Sequence, residues 1–192
     1  MDDFGRPRRQ DEGLDIVTLL KIARMGHPVL LRRADDVPDP TGPEIGRLID
    51  DMIETMEDAR GAGLAAPQVH VSLRLFVYRV PAERSAGEDD PPRAASVLIN
   101  PVLRPVGDEM VLRPEGCLSI PGLRGMVPRH VRVAYSGLDR DGAPVEGVAT
   151  GFLANVLQHE YDHLDGILYP MRMKDLGQMG FDEEIGRYGV RT

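Results

Sequence analysis

The residues most able to do chemistry lie in the segment QHEYDHLDG. His159 and His163 are four positions apart, about 6 Å of rise on an α-helix, so both imidazoles can reach one metal ion. Glu160 stands about 100° around such a helix from His159, beside an ion's open position, where a carboxylate can act as a base without ligating. The same letters also fit an ordinary helix with polar residues on its surface.

Two histidines need a third protein ligand, and the candidates are Cys117, another histidine or a carboxylate. Cys117 is the single cysteine and sits in PEGCLSIPG, hemmed by Pro114, Gly116 and Pro121. That composition fixes a backbone, and a thiolate is a soft ligand suited to Zn²⁺ or Fe²⁺. A lone cysteine is also commonly a small buried hydrophobe. His27, His70 and His130 lack such a setting and read as surface or locally hydrogen-bonded residues.

The elements that must hold these groups can be read from periodicity. A helix is expected from Thr150 to Leu164, with Thr150 as its cap, and it places Phe152, Val156, His159 and His163 on one face. A second helix is expected over Thr41–Arg60, where Ile45, Leu48, Ile49, Met52, Ile53 and Met56 repeat as one apolar stripe that stops at Gly61. The glycine-rich GAGLAAPQ follows. Leu73–Val80 alternates as a half-buried strand does, and Val97–Val106 holds a second strand broken by Pro101. Between them Ala82–Ala95 reads as a long solvated loop. Asp141-Gly142 signals a hairpin joining strands near Val131–Tyr135 and Val145–Ala149. The fold class expected is α+β, with mixed or antiparallel strands around a central helix in the C-terminal half that carries the histidine pair. Residues 14–173 are expected to form one domain, flanked by a polar N-terminal tail at 1–13 and a weakly patterned C-terminal tail at 174–192.

Composition limits the classes of function. The chain has 192 residues, with 23 Lys plus Arg against 31 Asp plus Glu and a formal net charge of −8. Such a surface lacks the broad positive field that phosphate-backbone binding requires, so direct nucleic-acid binding is not expected. No run of about 18 apolar residues suggests a membrane span, and no apolar stretch near the N-terminus suggests a signal peptide. With one cysteine and no internal disulfide, the expectation is a cytoplasmic protein.

GAGLAAPQ (Gly61–Gln68), EGCLS (Glu115–Ser119) and QHEYDHLDG (Gln158–Gly166), in this order, closely resemble the three signature motifs of peptide deformylases. MGHPVL near the start, VPR after the second motif and SGLDRDG before the third support the match, which runs from about Ile22 to Met173. The resemblance implies a bacterial enzyme that removes the formyl group from the N-terminal formyl-methionine of nascent polypeptides. It implies Cys117, His159 and His163 as metal ligands and Glu160 as catalytic acid and base. Gln68 and the backbone N–H of Leu118 would hold the formyl oxygen. Gly61, Gly63, Glu115 and Arg124 would contact substrate, Gly63 by pairing with its main chain. Phe152 and Val156 could line a methionine-sized pocket, although core packing explains such residues as well. The metal implied is Fe²⁺, with Zn²⁺, Ni²⁺ or Co²⁺ able to occupy the site in purified protein. Nascent formyl-methionyl peptides are the implied partner, and ribosome contact stays open. Three positions depart from the family's habit: His70 where glycine is common, the inserted Glu83–Arg93 segment, and Asn155 where arginine or an apolar residue is usual.

Two other readings compete. A zincin-type metallopeptidase takes its third ligand downstream, and no His or Cys follows His163. A closed structural site wants four protein ligands and has no use for Gln68 or Glu160.

Overall fold

The computed structural model describes residues 18–190; the expected tail at 1–13 lies outside them. The elements, in chain order, are α1 (Pro43–Asp58), β1 (Gly63–Ala65), β2 (Leu75–Val80), β3 (Arg93–Pro105), β4 (Met110–Cys117), β5 (Ile120–His130), β6 (Val133–Leu138), β7 (Pro144–Ala149), α2 (Gly151–Leu164), β8 (Met179–Phe181) and α3 (Asp182–Tyr188). Short 3-10 turns join several of them. The strands form a five-stranded sheet in the order β1-β2-β3-β6-β7 and a three-stranded sheet in the order β4-β5-β8, with every neighbouring pair antiparallel.

The two long helices cover opposite faces of the larger sheet. Leu75 and Val77 of β2 pack with Ile49, Met52 and Met56 of α1. Phe76, Tyr78 and Val80, which point the other way, pack with Leu153, Ala154, Val156 and Leu157 of α2. Strand β2 is therefore buried on both faces rather than on one, because a helix covers each side. A third cluster, with Leu30, Ile120, Val127 and Tyr169, lies beneath the smaller sheet.

Local chemistry accounts for the irregular points. Pro101 does not end β3: the register shifts between Ile99 and Val102, Asn100 turns left-handed at φ 49°, and its side-chain amide bonds the Val37 backbone N and O at 2.8 and 3.0 Å. The proline thus sits at a bulge, where its missing donor is tolerated. Helix α1 closes on Arg60, with bonds from Arg60 N to Glu57 O and from Gly61 N to Met56 O; the left-handed residue of this motif is Arg60, at φ 53°, and not the glycine after it. The Asp141-Gly142 turn joins β6 and β7 as expected, with Asp139 Oδ1 accepting from Asp141 N and Ala143 N at 2.9 Å each.

Two regions differ from the sequence reading. Residues 110–130 form a long hairpin, although Pro114, Gly116, Pro121, Gly122, Gly125 and Pro128 obscure any strand pattern. Beyond residue 173, Met179–Phe181 extends that sheet by pairing with β5.

Candidate active site

Helix α2 carries the site and is fixed at both ends. Its N-terminus is capped from outside: the Asp90 carboxylate, 2% exposed, accepts from Phe152 N at 2.6 Å and Leu153 N at 3.2 Å. Thr150, the expected cap, instead donates its hydroxyl to Asp89 O at 2.8 Å. Residues 82–92 are therefore more than a solvated excursion, because their buried aspartate starts the helix. At the other end Leu164 O accepts from Ala34 N at 2.8 Å and from Arg74 Nη1 at 3.2 Å.

The helix buries four polar side chains, His159, Glu160, Asp162 and His163, which is affordable only where each has a partner or a task. Cys117, at the end of β4, meets the two histidines. One ligand atom from each of Cys117, His159 and His163 lies within 4.8 Å of the others, and Cys117 Sγ is 3.3 Å from His163 Nε2. A thiolate with two imidazoles is a donor set that suits a first-row divalent cation. Burial opposes charge on His159, but hydrogen bonds to Cys117 and Glu115 outweigh it and hold its pKa well above the usual value. Burial, reinforced by the charges of His159 and Arg129, holds His163 well below.

Behind His159 stands a buried ionic row. Its Nδ1 donates to Glu115 Oε2 at 2.8 Å. Arg129 grips Glu115 with Nε on Oε1 at 2.6 Å and Nη2 on Oε2 at 2.9 Å. The same guanidinium donates to Asp162 Oδ2 at 2.6 Å, and Arg172 donates to Asp162 Oδ1 at 2.7 Å. Burial works against ionisation of Glu115, yet the bonds from Arg129 and His159 outweigh it and lower its pKa. Both Glu115 oxygens are committed to these partners, so this carboxylate holds the His159 ring in place rather than reaching for substrate. Of these, Glu115 and Asp162 lie within the EGCLS and QHEYDHLDG motifs and Arg129 within the VPR tripeptide, but nothing in the motifs showed that they join behind His159; Arg172 had no signal.

Gln68 is oriented by its own amide oxygen, which accepts from Ala65 N at 2.8 Å. Its Nε2 then faces Ser119 Oγ at 3.2 Å and Cys117 Sγ at 3.6 Å. Glu160 lies under β1, where a Cβ built on Gly63 would overlap its carboxylate. Its Oε2 is buried without a partner, and burial pushes its pKa up to about 7.

These groups open onto one cleft of about 620 Å³. Gly61, Gly63, Gln68, Glu115, Cys117, Leu118, Arg124, Phe152, Val156 and His159, all singled out from the sequence, line it; Glu160 and His163 lie just beneath. Arg124 is tied to Asp182 at 2.9 Å. Asn155 lines the cleft too, with its Oδ1 buried and unpartnered. His70, left-handed at φ 68°, packs edge-on against His27 at 4.7 Å between centroids, away from the cluster.

Comparison with known proteins agrees with this geometry. The family described as polypeptide deformylase matches residues 19–179. Peptide deformylase 1 of Bordetella pertussis is 50% identical over 165 residues, 85% of this chain and 93% of that protein. Peptide deformylase 2 of Ralstonia nicotianae is 48% identical over 163 residues, 84% and 91% of the two chains. Among solved structures, the class I type b peptide deformylase of Acinetobacter baumannii with Met-Ala-Ser bound has a TM-score of 0.75 at 37% identity, covering 82% of this chain and 100% of its own. The Ehrlichia chaffeensis peptide deformylase in complex with actinonin gives 0.76 at 35% identity, covering 82% and 90%. The chain belongs to the polypeptide deformylase family, metal-dependent hydrolases that remove the N-formyl group from newly made polypeptides.

Proposed function

We propose that Cys117, His159 and His163 together hold one divalent cation, Fe²⁺ in the working enzyme, and that Glu160 moves the proton during deformylation of formyl-methionyl chains. The observation that carries this reading is the Glu160 carboxylate, buried with an unpartnered oxygen beside three convergent soft and imidazole ligands. When bound, the cation supplies Lewis acidity, polarising the amide and making water acidic enough to lose a proton near neutral pH.

The chain's own groups do the rest. Glu160 takes the proton from the attacking water and returns it to the leaving amine. Gln68 Nε2 and the backbone N–H of Leu118 donate to the oxygen that becomes negative; loss of one such donor typically costs about 3 to 4 kcal/mol. Strand β1 is an edge strand of its sheet, so the backbone around Gly63 has an open side on which an extended peptide can pair. Phe152 and Val156 flank the first side chain. Glu115 and Arg129 hold His159 at the angle the site needs. The same reading places the enzyme in the bacterial cytoplasm, where formylated chains emerge.

A closed structural metal site has less support, because among the described residues the cluster offers three ligands and opens onto a cleft. The test is formate release from formyl-Met-Ala-Ser by anaerobically prepared protein, with metal analysis of the same sample. Stoichiometric iron with turnover supports the reading; metal-replete protein that releases no formate refutes it.

A further inference from the structure

The charge around the cleft runs against the charge of the chain. The protein carries a formal −8, yet the cleft is lined by Arg60, Arg79, Arg84 and Arg124 against Glu83, Asp182 and Glu115. Most of these are already paired. Glu115 is held by Arg129, Arg124 by Asp182, and Arg79 donates to Gly61 O at 2.9 Å with Glu57 3.8 Å away. Among the described residues, Arg60 and Arg84 have no carboxylate within salt-bridge distance, and both are exposed at the rim, where Glu83 is the one unpaired acid.

The Arg84 side chain is held in place, and the Arg60 backbone is fixed at a turn. Arg84 lies over the Phe152 ring at 5.4 Å, and the Phe152 backbone N–H is fixed by the buried Asp90 of the same loop. A guanidinium placed over an aromatic ring keeps N–H donors available for a carboxylate. Arg60 occupies the left-handed residue that closes α1, at φ 53°, a position where glycine or asparagine is relaxed and other residues are strained. The chain thus keeps a cation at a backbone position that does not favour it.

Resting on the deformylase reading, we infer that Arg60 and Arg84 read carboxylate groups on the substrate beyond its first residue, so that this enzyme favours formyl-methionyl chains with Asp or Glu close behind the methionine. A carboxylate on a short peptide can be a side chain or the C-terminus, and on a nascent chain only the side chain is near.

The test compares kcat/KM for C-terminally amidated formyl-Met-Asp-Asp, formyl-Met-Ala-Ser and formyl-Met-Lys-Lys, with free-acid versions alongside. Two solvent-exposed contacts of this kind should favour the acidic amide over the neutral one by roughly three- to tenfold at low salt. The lysine peptide should be the poorest. The preference should reside in KM and shrink between about 20 and 500 mM salt. Arg84→Gln and Arg60→Gly should each move the acidic-to-neutral ratio toward one, and Arg60→Gly should do so while keeping or raising Tm. A ratio at or below one in the unmodified enzyme overturns the inference, as does a ratio that neither variant changes. A gain confined to the free acids assigns the arginines to a terminal carboxylate and overturns it for nascent chains. Absence of turnover on the neutral peptide is a separate result, and it would remove the deformylase reading itself.

Discussion

Gly63 and Glu160 compete for the same space: a Cβ at position 63 would overlap the Glu160 carboxylate. The glycine is needed for this packing as much as for any approach of substrate, and this gives a variant that touches the base without altering its chemistry. Gly63→Ala should push the carboxylate aside and leave Cys117, His159 and His163 unmoved. Since a ~1 Å misplacement of a catalytic group costs about 10²-fold, turnover should fall by about that factor at unchanged metal content. Steady-state formate release with metal analysis checks it, and an alanine variant of normal activity would show that Glu160 has room to spare.

The row Arg129–Glu115–His159 makes a prediction about metal affinity. Glu115→Gln keeps the shape but loses the charge that orients His159 and pairs Arg129, and changes to such supporting groups typically weaken metal binding by about 10- to 100-fold. Competition against a chelator reads this directly. The same pairing fixes a pH dependence of stability. The Glu115 pKa is lower in the folded protein than its ordinary 4.5, so the folded state binds fewer protons at this site. Its stabilisation is full above about that value and is lost as the pH falls through the lowered one. Urea unfolding between neutral pH and pH 3 should show this loss in the unmodified protein and a flatter profile in Glu115→Gln.

Glu160 has the opposite sign. Its pKa in the folded, metal-free chain is raised to about 7, so the folded state binds more protons, and stability is lost as pH rises from about 4.5 through 7. Metal-free Glu160→Gln, which has no charge to bury, should therefore melt at a higher temperature than metal-free unmodified protein at pH 8, with the difference narrowing toward pH 5. Thermal unfolding of chelated samples measures it. Equal melting temperatures at pH 8 would mean that the buried carboxylate is not strained.

How much of this was legible in the sequence depends on how local each signal is. The spacing of His159 and His163, the apolar stripe of α1 and the existence of strand β2 arise within a few residues, and the structure keeps them. What failed was non-local. The cap of α2 comes from Asp90, 62 residues before Phe152, and the adjacent Thr150 was the only candidate a local reading could offer. Strand β2 looked half-buried because alternation cannot reveal that a helix covers each face. The β4–β5 hairpin was hidden by its prolines and glycines: Pro121 and Gly122 fall where the register shifts opposite Gly116 and Cys117, while Pro114, Gly125 and Pro128 occupy paired strand positions. Glu115 was read as a substrate contact on the resemblance of its motif; only its distances to Arg129 and His159 show what it holds.

The central claim is that Glu160 moves a proton and does not hold the metal. Measuring iron content and formate release side by side on anaerobically prepared Glu160→Gln tests it most directly. The glutamine keeps the size of the side chain and leaves Cys117, His159 and His163 as they are, but its amide cannot accept the water's proton. The account predicts full metal content with turnover reduced by roughly 10² to 10⁴-fold. A variant that loses its metal, or one that remains active with the metal in place, would contradict it.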